Sequence, residues 1–315
     1  MTLILAVVAG IADWEPLAQG QQNPQLVSRR PVSPRRGASE QRAAGQRAAG
    51  HRALEFETRY GQVYLQRDSG PLKADIYIPN GDGPFPSVLV VHGGAWMMGT
   101  RAQLSGVAQQ LASHGMTAVA ISYRLAPKHK FPAQIEDCKA AVRWMREQAT
   151  ELKIDPLRLG GFGYSAGAQL VTLLGTTDPD DGLEGIDDPQ TVPNTRLQAV
   201  VAGGVPCDFR VIDPDSRRLA FWLGGSRREV GELYRLASPR AFVSDDDPPM
   251  FFFHGENDEL VPIVSAEAMC HSLKAAGVPA ELYVVPKIGH NFAVMDRTAV
   301  TKSVKFLVET LGVDK

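Results

Sequence analysis

Eight apolar, β-branched runs, separated by patterns of helical period, constrain this chain more than any other feature. They fall at residues 62–66, 74–79, 86–91, 117–123, 158–163, 198–202, 249–253 and 281–285. Several are near-continuous, such as SVLVVHG at 87–93 and MFFFHG at 250–255. Strands buried on both faces read this way, without the alternation of a half-exposed strand. Between the runs, Leu104, Val107, Ala108 and Leu111 follow one helical face, with Gly115 as the stop. Ile135, Cys138, Val142 and Met145 form a stripe behind Pro132, a favourable first-turn residue. Met269, Leu273 and Ala276 precede Gly277, and Val300, Val304, Leu307 and Leu311 mark a last helix. Repeated strand–helix alternation predicts an α/β fold. Its central sheet should be mostly parallel, with about eight strands and helices on both faces. The first two runs lie close enough for a hairpin, so the sheet should start antiparallel. Two polar stretches, 175–195 and 208–247, interrupt the pattern. Both are expected to act as lid segments over the carboxyl edge of the sheet, the second with helical pieces near 214–223 and 229–236.

Charge divides the chain in two. Residues 1–54 hold seven arginines against three acids, while the whole chain of 315 residues has a net charge of −2. The first part is therefore +4 and the rest −6. Residues 55–315 are expected to form one catalytic domain, and 1–54 a signal, linker or disordered tail. Within that tail, Leu3 to Ala12 is apolar over ten residues, short of the ~20 needed to span a bilayer. The run has the length of a signal-peptide core, and Gly10-Ile11-Ala12 supplies a small-x-small site, but no Lys or Arg precedes it. The pattern leaves localisation open and leans extracytoplasmic. Residues 19–53 contain QRAAG twice in tandem and show no apolar period, so disorder is expected there. A linker and a basic tail that binds acidic polymers or surfaces are the two readings of that stretch. The near-neutral whole offers no attraction to nucleic acid or anionic membrane. Three scattered cysteines (Cys138, Cys207, Cys270) give neither a disulfide framework nor zinc spacing, and no metal or cofactor is expected.

The chemistry-bearing residues sit at strand ends. Gly163-Tyr164-Ser165-Ala166-Gly167 follows one run and opens an apolar helix over 166–174, the strand–turn–helix setting of a nucleophile elbow. Only small residues two positions either side of the serine avoid clashes in such a turn. His92-Gly93-Gly94-Ala95-Trp96 follows another run. A tetrahedral intermediate needs converging backbone N–H donors, and the usual geometry of such a turn assigns them to Gly94 and Ala95, with Ala166 after the nucleophile. His92 is expected to bond this loop to itself. Trp96, Met97 and Tyr164 are candidates for lining a substrate pocket, with core packing the alternative. Serine needs a base. Of seven histidines, His290 lies in a loop after the last strand, at the carboxyl edge, and is the candidate. His254 closes a strand and reads as a packed polar residue. The segment HGENDELVP at 254–262 offers Glu256, Asp258 and Glu259 as the acid. Asp258, three residues past Gly255, is the choice and Glu256 the fallback. The order Ser165, Asp258, His290 is that of α/β-hydrolases.

Taken together, HGGAW (92–96), YRLAP (123–127), FPAQIEDCKAAVRW (131–144), GYSAG (163–167), HGENDELVP (254–262) and GHNF (289–292) resemble α/β-hydrolase esterases of the hormone-sensitive-lipase-like and feruloyl-esterase-like groups. The resemblance covers residues 60–312. It implies a Ser–His–Asp triad, no cofactor, a small-molecule ester substrate and hydrolysis through an acyl-enzyme. The chain departs from the pattern in places. Ala95 replaces the third glycine of HGGG, giving the HGGxW form of kynurenine formamidases, so a formamide or other amide substrate is the main rival. Ser122 stands where many relatives have Asp, and Ala168 where a further glycine is usual. No long helical cap is evident at the N-terminus. A non-catalytic ligand-binding homologue is a third reading, opposed by the presence of Ser165, Asp258 and His290. Acyl-chain length and oligomeric state have no readable signal.

Overall fold

The computed structural model describes residues 54–185 and 194–313. The tail, with its signal-peptide and disorder readings, lies outside the described residues, as does the middle of the 175–195 stretch.

Eight strands form one sheet: β1 (Phe56–Arg67), β2 (Gly70–Pro79), β3 (Phe85–Val91), β4 (Thr117–Ile121), β5 (Ile154–Tyr164), β6 (Ala199–Gly203), β7 (Met250–Gly255) and β8 (Ala280–Val285). Their spatial order is β1-β2-β4-β3-β5-β6-β7-β8. The expected antiparallel start is present, with β1 on β2 and β2 on β4. Every later pairing is parallel. β1 is longer than its apolar run because register shifts at Arg59/Gln62 and Val63/Leu65 break the alternation that would have marked it.

Alternate residues of each buried strand feed opposite layers. Leu89 and Val91 face the layer built with α2 (Ala133–Glu147), α3 (Ala166–Thr176) and α6 (Val264–Ala275). Val88 and Val90 face the layer built with α1 (Ser105–Ser113) and α7 (Arg297–Thr310). The stripes read from sequence are buried apart from half-buried Ala276, with Leu111, Ile135, Val142, Leu273 and Leu307 completely so. Gly115 and Gly277 follow their helices with left-handed φ of 86° and 87°, which ends a helix at no steric cost.

The two polar stretches have different fates. Residues 208–247 leave the carboxyl end of β6 and fold into α4 (Ala220–Leu223) and α5 (Arg227–Leu236), which pack against the apolar layer under the carboxyl edge. The described ends of the 175–195 stretch do not lie over the carboxyl edge, where a lid was expected. The stretch follows α3, which has already carried the chain back from the carboxyl edge, and it leads into the first residue of β6. Its described part is fastened low on α2, where Glu184 accepts from Lys139 Nζ at 2.7 Å and from Arg143 at 2.7 Å. Polarity marks both stretches as surface insertions, but only the topology decides which sheet edge each one meets.

Candidate active site

Parallel pairing brings five strand ends into line. Val91 pairs with Gly163, Tyr164 with Gly203, Gly203 with Phe253, and Gly255 with Val285. The loops after β3, β5, β7 and β8 therefore start on one edge, and they carry the residues singled out above.

Ser165 has φ 55° and ψ −119°, a conformation that is costly for a residue with a Cβ. Its N–H donates to Gly203 O at 2.8 Å. The turn is too tight for side chains two positions either side. A Cβ on Gly163 would lie 2.2 Å from Gly167 O, and one on Gly167 only 2.1 Å from Val91 O. Ser165 Oγ lies 2.8 Å from His290 Nε2. His290 Nδ1 lies 2.6 Å from Asp258 Oδ2. Both His290 and Asp258 are buried. Since a carboxylate only accepts, Nδ1 carries the proton and Nε2 is left to accept from Ser165.

Asp258 is well held. Its Oδ1 accepts the N–H groups of Leu260 at 3.0 Å and Val261 at 2.9 Å. Burial pushes its carboxyl up. Bonds from His254 and His290, electrostatic attraction to His290 and the Val261 N–H outweigh that and hold it well below the usual carboxylate range. Glu256, the fallback acid, is exposed and accepts the Lys287 N–H at 2.7 Å instead. Glu259 is also exposed. His290 meets only Asp258 of the three.

The turn after β3 presents Gly94 and Ala95. His92 Nδ1 lies 2.7 Å from Gly93 O, as expected for a residue that bonds the loop to itself. Met97 and Met98 N–H each donate to Gly94 O at 3.0 Å. A trans peptide points its C=O and N–H in opposite directions. Fixing Gly93 O therefore fixes the Gly94 N–H, and fixing Gly94 O fixes the Ala95 N–H. Neither N–H meets an acceptor among the described residues. Ala166 opens α3, where first-turn N–H groups lack an intrahelical partner.

This order of strands and loops matches known proteins. The model of the family described as BD-FAE matches residues 74–273. The chain belongs to the BD-FAE family. Its fold is the α/β-hydrolase fold. Esterase LipC of Mycobacterium tuberculosis (strain ATCC 25618 / H37Rv) is 31% identical over 223 residues, 68% of this chain and 54% of LipC. The chain spans about half the length of curated relatives such as LipC, LipM and LipQ. A truncated form of a carbohydrate esterase from gut microbiota superposes with a TM-score of 0.73 at 25% identity, covering 84% of this chain and 99% of that one. Thermogutta terrifontis esterase 2 phosphorylated by paraoxon superposes with a TM-score of 0.69 at 25% identity, over 82% and 96%.

In this BD-FAE member two of the three pocket candidates turn inward. Trp96 is 3% exposed and stacks on Trp222 of α4, so core packing is its role. Tyr164 is 7% exposed, and its hydroxyl donates to the backbone carbonyl of His290. It anchors the loop that carries the imidazole. Met97 is half-buried beside the loop. His254, read as a packed polar residue, is fully buried, with Nε2 2.7 Å from Val261 O and 3.2 Å from Asp258 Oδ2. Its closeness to Asp258 goes beyond what was read for it. The signal was available in the segment HGENDELVP, which places His254 four residues before Asp258 across a tight turn. A shallow recess of ≈ 250 Å³ is lined by Asn257, Glu259, Leu260, Gly289, His290, Asn291 and Phe292. Among the described residues no group of three or more His, Cys, Asp or Glu is placed to hold a metal ion. No described helix is long and apolar enough to cross a membrane.

Proposed function

We propose that this protein is a serine hydrolase that cleaves carboxylic esters through an acyl-enzyme. The observation that carries the reading is the unbroken chain from Asp258 to His290 to Ser165, at 2.6 and 2.8 Å, on a strained elbow. Ser165 Oγ attacks the ester carbonyl while His290 Nε2 takes its proton. Asp258, held ionised, keeps the proton on Nδ1 and stabilises the imidazolium. The carbonyl oxygen becomes an oxyanion, received by the N–H groups of Gly94, Ala95 and Ala166. His290 gives its proton to the departing alcohol, leaving an acyl group on Ser165. A water then loses a proton to His290 and attacks the acyl carbon. Collapse returns the proton to Ser165 and frees the acid. We assign the departing alcohol to the recess that His290 lines. Relatives and neighbours named as esterases support the reaction class.

The test is direct. Wild type should hydrolyse a short p-nitrophenyl ester and take up a fluorophosphonate probe, and Ser165→Ala should do neither. Undiminished turnover in that variant would remove Ser165 from the mechanism. A panel graded by acyl length, with acetylated xylan, a feruloyl ester and N-formylkynurenine, separates ester from amide preference.

A further inference from the structure

The loop that presents Gly94 and Ala95 is bent against its own preference. Ala95 and Trp96, neither of them glycine, have φ of 49° and 59° in succession. Such backbone persists only where the surroundings over-determine it. The surroundings here meet on one indole. Trp96 lies parallel to Trp222, with 3.6 Å between ring centroids and 5° between planes. Phe209 packs edge-on to both rings, at 5.8 and 5.4 Å. Trp96 Nε1–H donates to Gln169 Oε1 at 2.9 Å.

Both partners of Trp96 are themselves fixed. Trp222 is fully buried in α4, donates to Gln134 Oε1 at 3.1 Å and accepts the Phe131 N–H at 3.0 Å. Gln169 sits one turn after Ser165 on α3, its N–H donating to Ser165 O at 3.1 Å. Its side-chain amide donates to Ala237 O, just after α5, at 2.7 Å. The oxyanion loop, the nucleophile helix and the segment between β6 and β7 are thus joined through one stacked pair.

We infer that Trp222 is a positioning residue for the oxyanion hole: it holds Trp96, and through Trp96 keeps the Gly94 and Ala95 N–H donors in their strained turn. The inference rests on the esterase reading of the same site. Trp222 does not touch the reacting atoms. Its effect must therefore show where negative charge is received on the substrate oxygen, and not where the substrate is first bound.

The test compares Trp222→Phe and Trp222→Leu with Trp96→Leu and the Trp96→Leu/Trp222→Leu double variant. Trp222→Phe keeps an aromatic ring and guards against misfolding. The exciton signal of the paired indoles in circular dichroism identifies the stack in wild type, and a thermal scan identifies which variants are folded. In folded Trp222 variants kcat should fall on the order of ten- to a hundredfold, less than the loss of a whole donor, with KM moving less than about threefold. Phosphorylation by paraoxon, which also builds charge on an oxygen in the hole, should slow by the same factor as kcat. The double variant should be no slower than Trp96→Leu, because both changes cut one linkage. Wild-type kcat in folded Trp222→Leu would overturn the inference, and so would additive losses in the double variant. Wild-type protein inert to both p-nitrophenyl esters and paraoxon would instead remove the esterase reading, and this inference with it.

Discussion

Asp258 Oδ2 faces two imidazoles, His290 Nδ1 at 2.6 Å and His254 Nε2 at 3.2 Å. The shorter contact is the one the proposed reaction uses. Asp258→Asn keeps the shape of the side chain but can donate to Nδ1, which favours the wrong tautomer of His290. We expect kcat to fall by about 10⁴ with little change in melting temperature, as measured by steady-state kinetics beside a thermal scan. A loss under tenfold would deny Asp258 its role. His92 gives a second prediction at this scale, one about stability. It is 1% exposed, and burial pushes its imidazole down to about 4 against the weaker effect of its bond to Gly93. An unfolded imidazole titrates near ~6.5. Between those values the unfolded chain takes up a proton that folded His92 does not. Its contribution is therefore unaffected above ~6.5, becomes a growing penalty as pH falls, and levels off below about 4. The interval corresponds to about 3 kcal/mol. Urea unfolding at neutral pH and near pH 4 should show wild type losing about that much more than His92→Asn. Equal losses in the two proteins would contradict it.

The elbow between β5 and α3 is legible because its sterics are local. Gly163 and Gly167 are needed so that a strand can turn into a helix within one residue, and a five-residue motif records that need. Gly167→Ala would place a Cβ against Val91 O at 2.1 Å, a backbone atom that cannot swing aside. β3 and α3 would have to separate, moving Ala166 N–H relative to the loop after β3. The expected loss of kcat is ~10² or more, the scale of one missing oxyanion donor, and ester kinetics on the purified variant would measure it. Other elements were less legible because they depend on distant partners. The Trp in HGGAW reads equally as pocket lining or as core, since its stack on Trp222 joins segments more than a hundred residues apart. Tyr164 looks like a residue beside the nucleophile, yet its hydroxyl reaches the backbone of His290 in another loop. β1 was seen only in part, because bulges hide a strand from any test for alternation. Asp258 was favoured over Glu256 on its distance from Gly255. The observed difference is that Glu256 turns to the Lys287 N–H.

At the scale of the whole molecule the two edges of the sheet do different work. The residues of the proposed reaction gather where the strands end, and the opposite edge ties a long connection down. The clearest tie is Glu184, 3% exposed, between Lys139 at 0% and Arg143. Burial pushes the Lys139 ammonium down, and Glu184 works against that. Such a pair need not stabilise the fold more than apolar packing would, but breaking it is costly, because the remaining charge stays buried without compensation. Glu184→Gln leaves both cations facing a neutral amide. We expect a loss of about 3–5 kcal/mol in denaturant unfolding. Glu184 belongs to the segment that follows α3 and leads into β6, and none of its bonds reaches Ser165, His290, Asp258 or the 92–96 loop. The kcat of the folded fraction should therefore match wild type. Measuring unfolding and kinetics on one preparation separates the two effects. If kcat fell along with stability, Glu184 would have to influence the carboxyl edge, as a residue of a lid would, and its place at the opposite edge would be wrong.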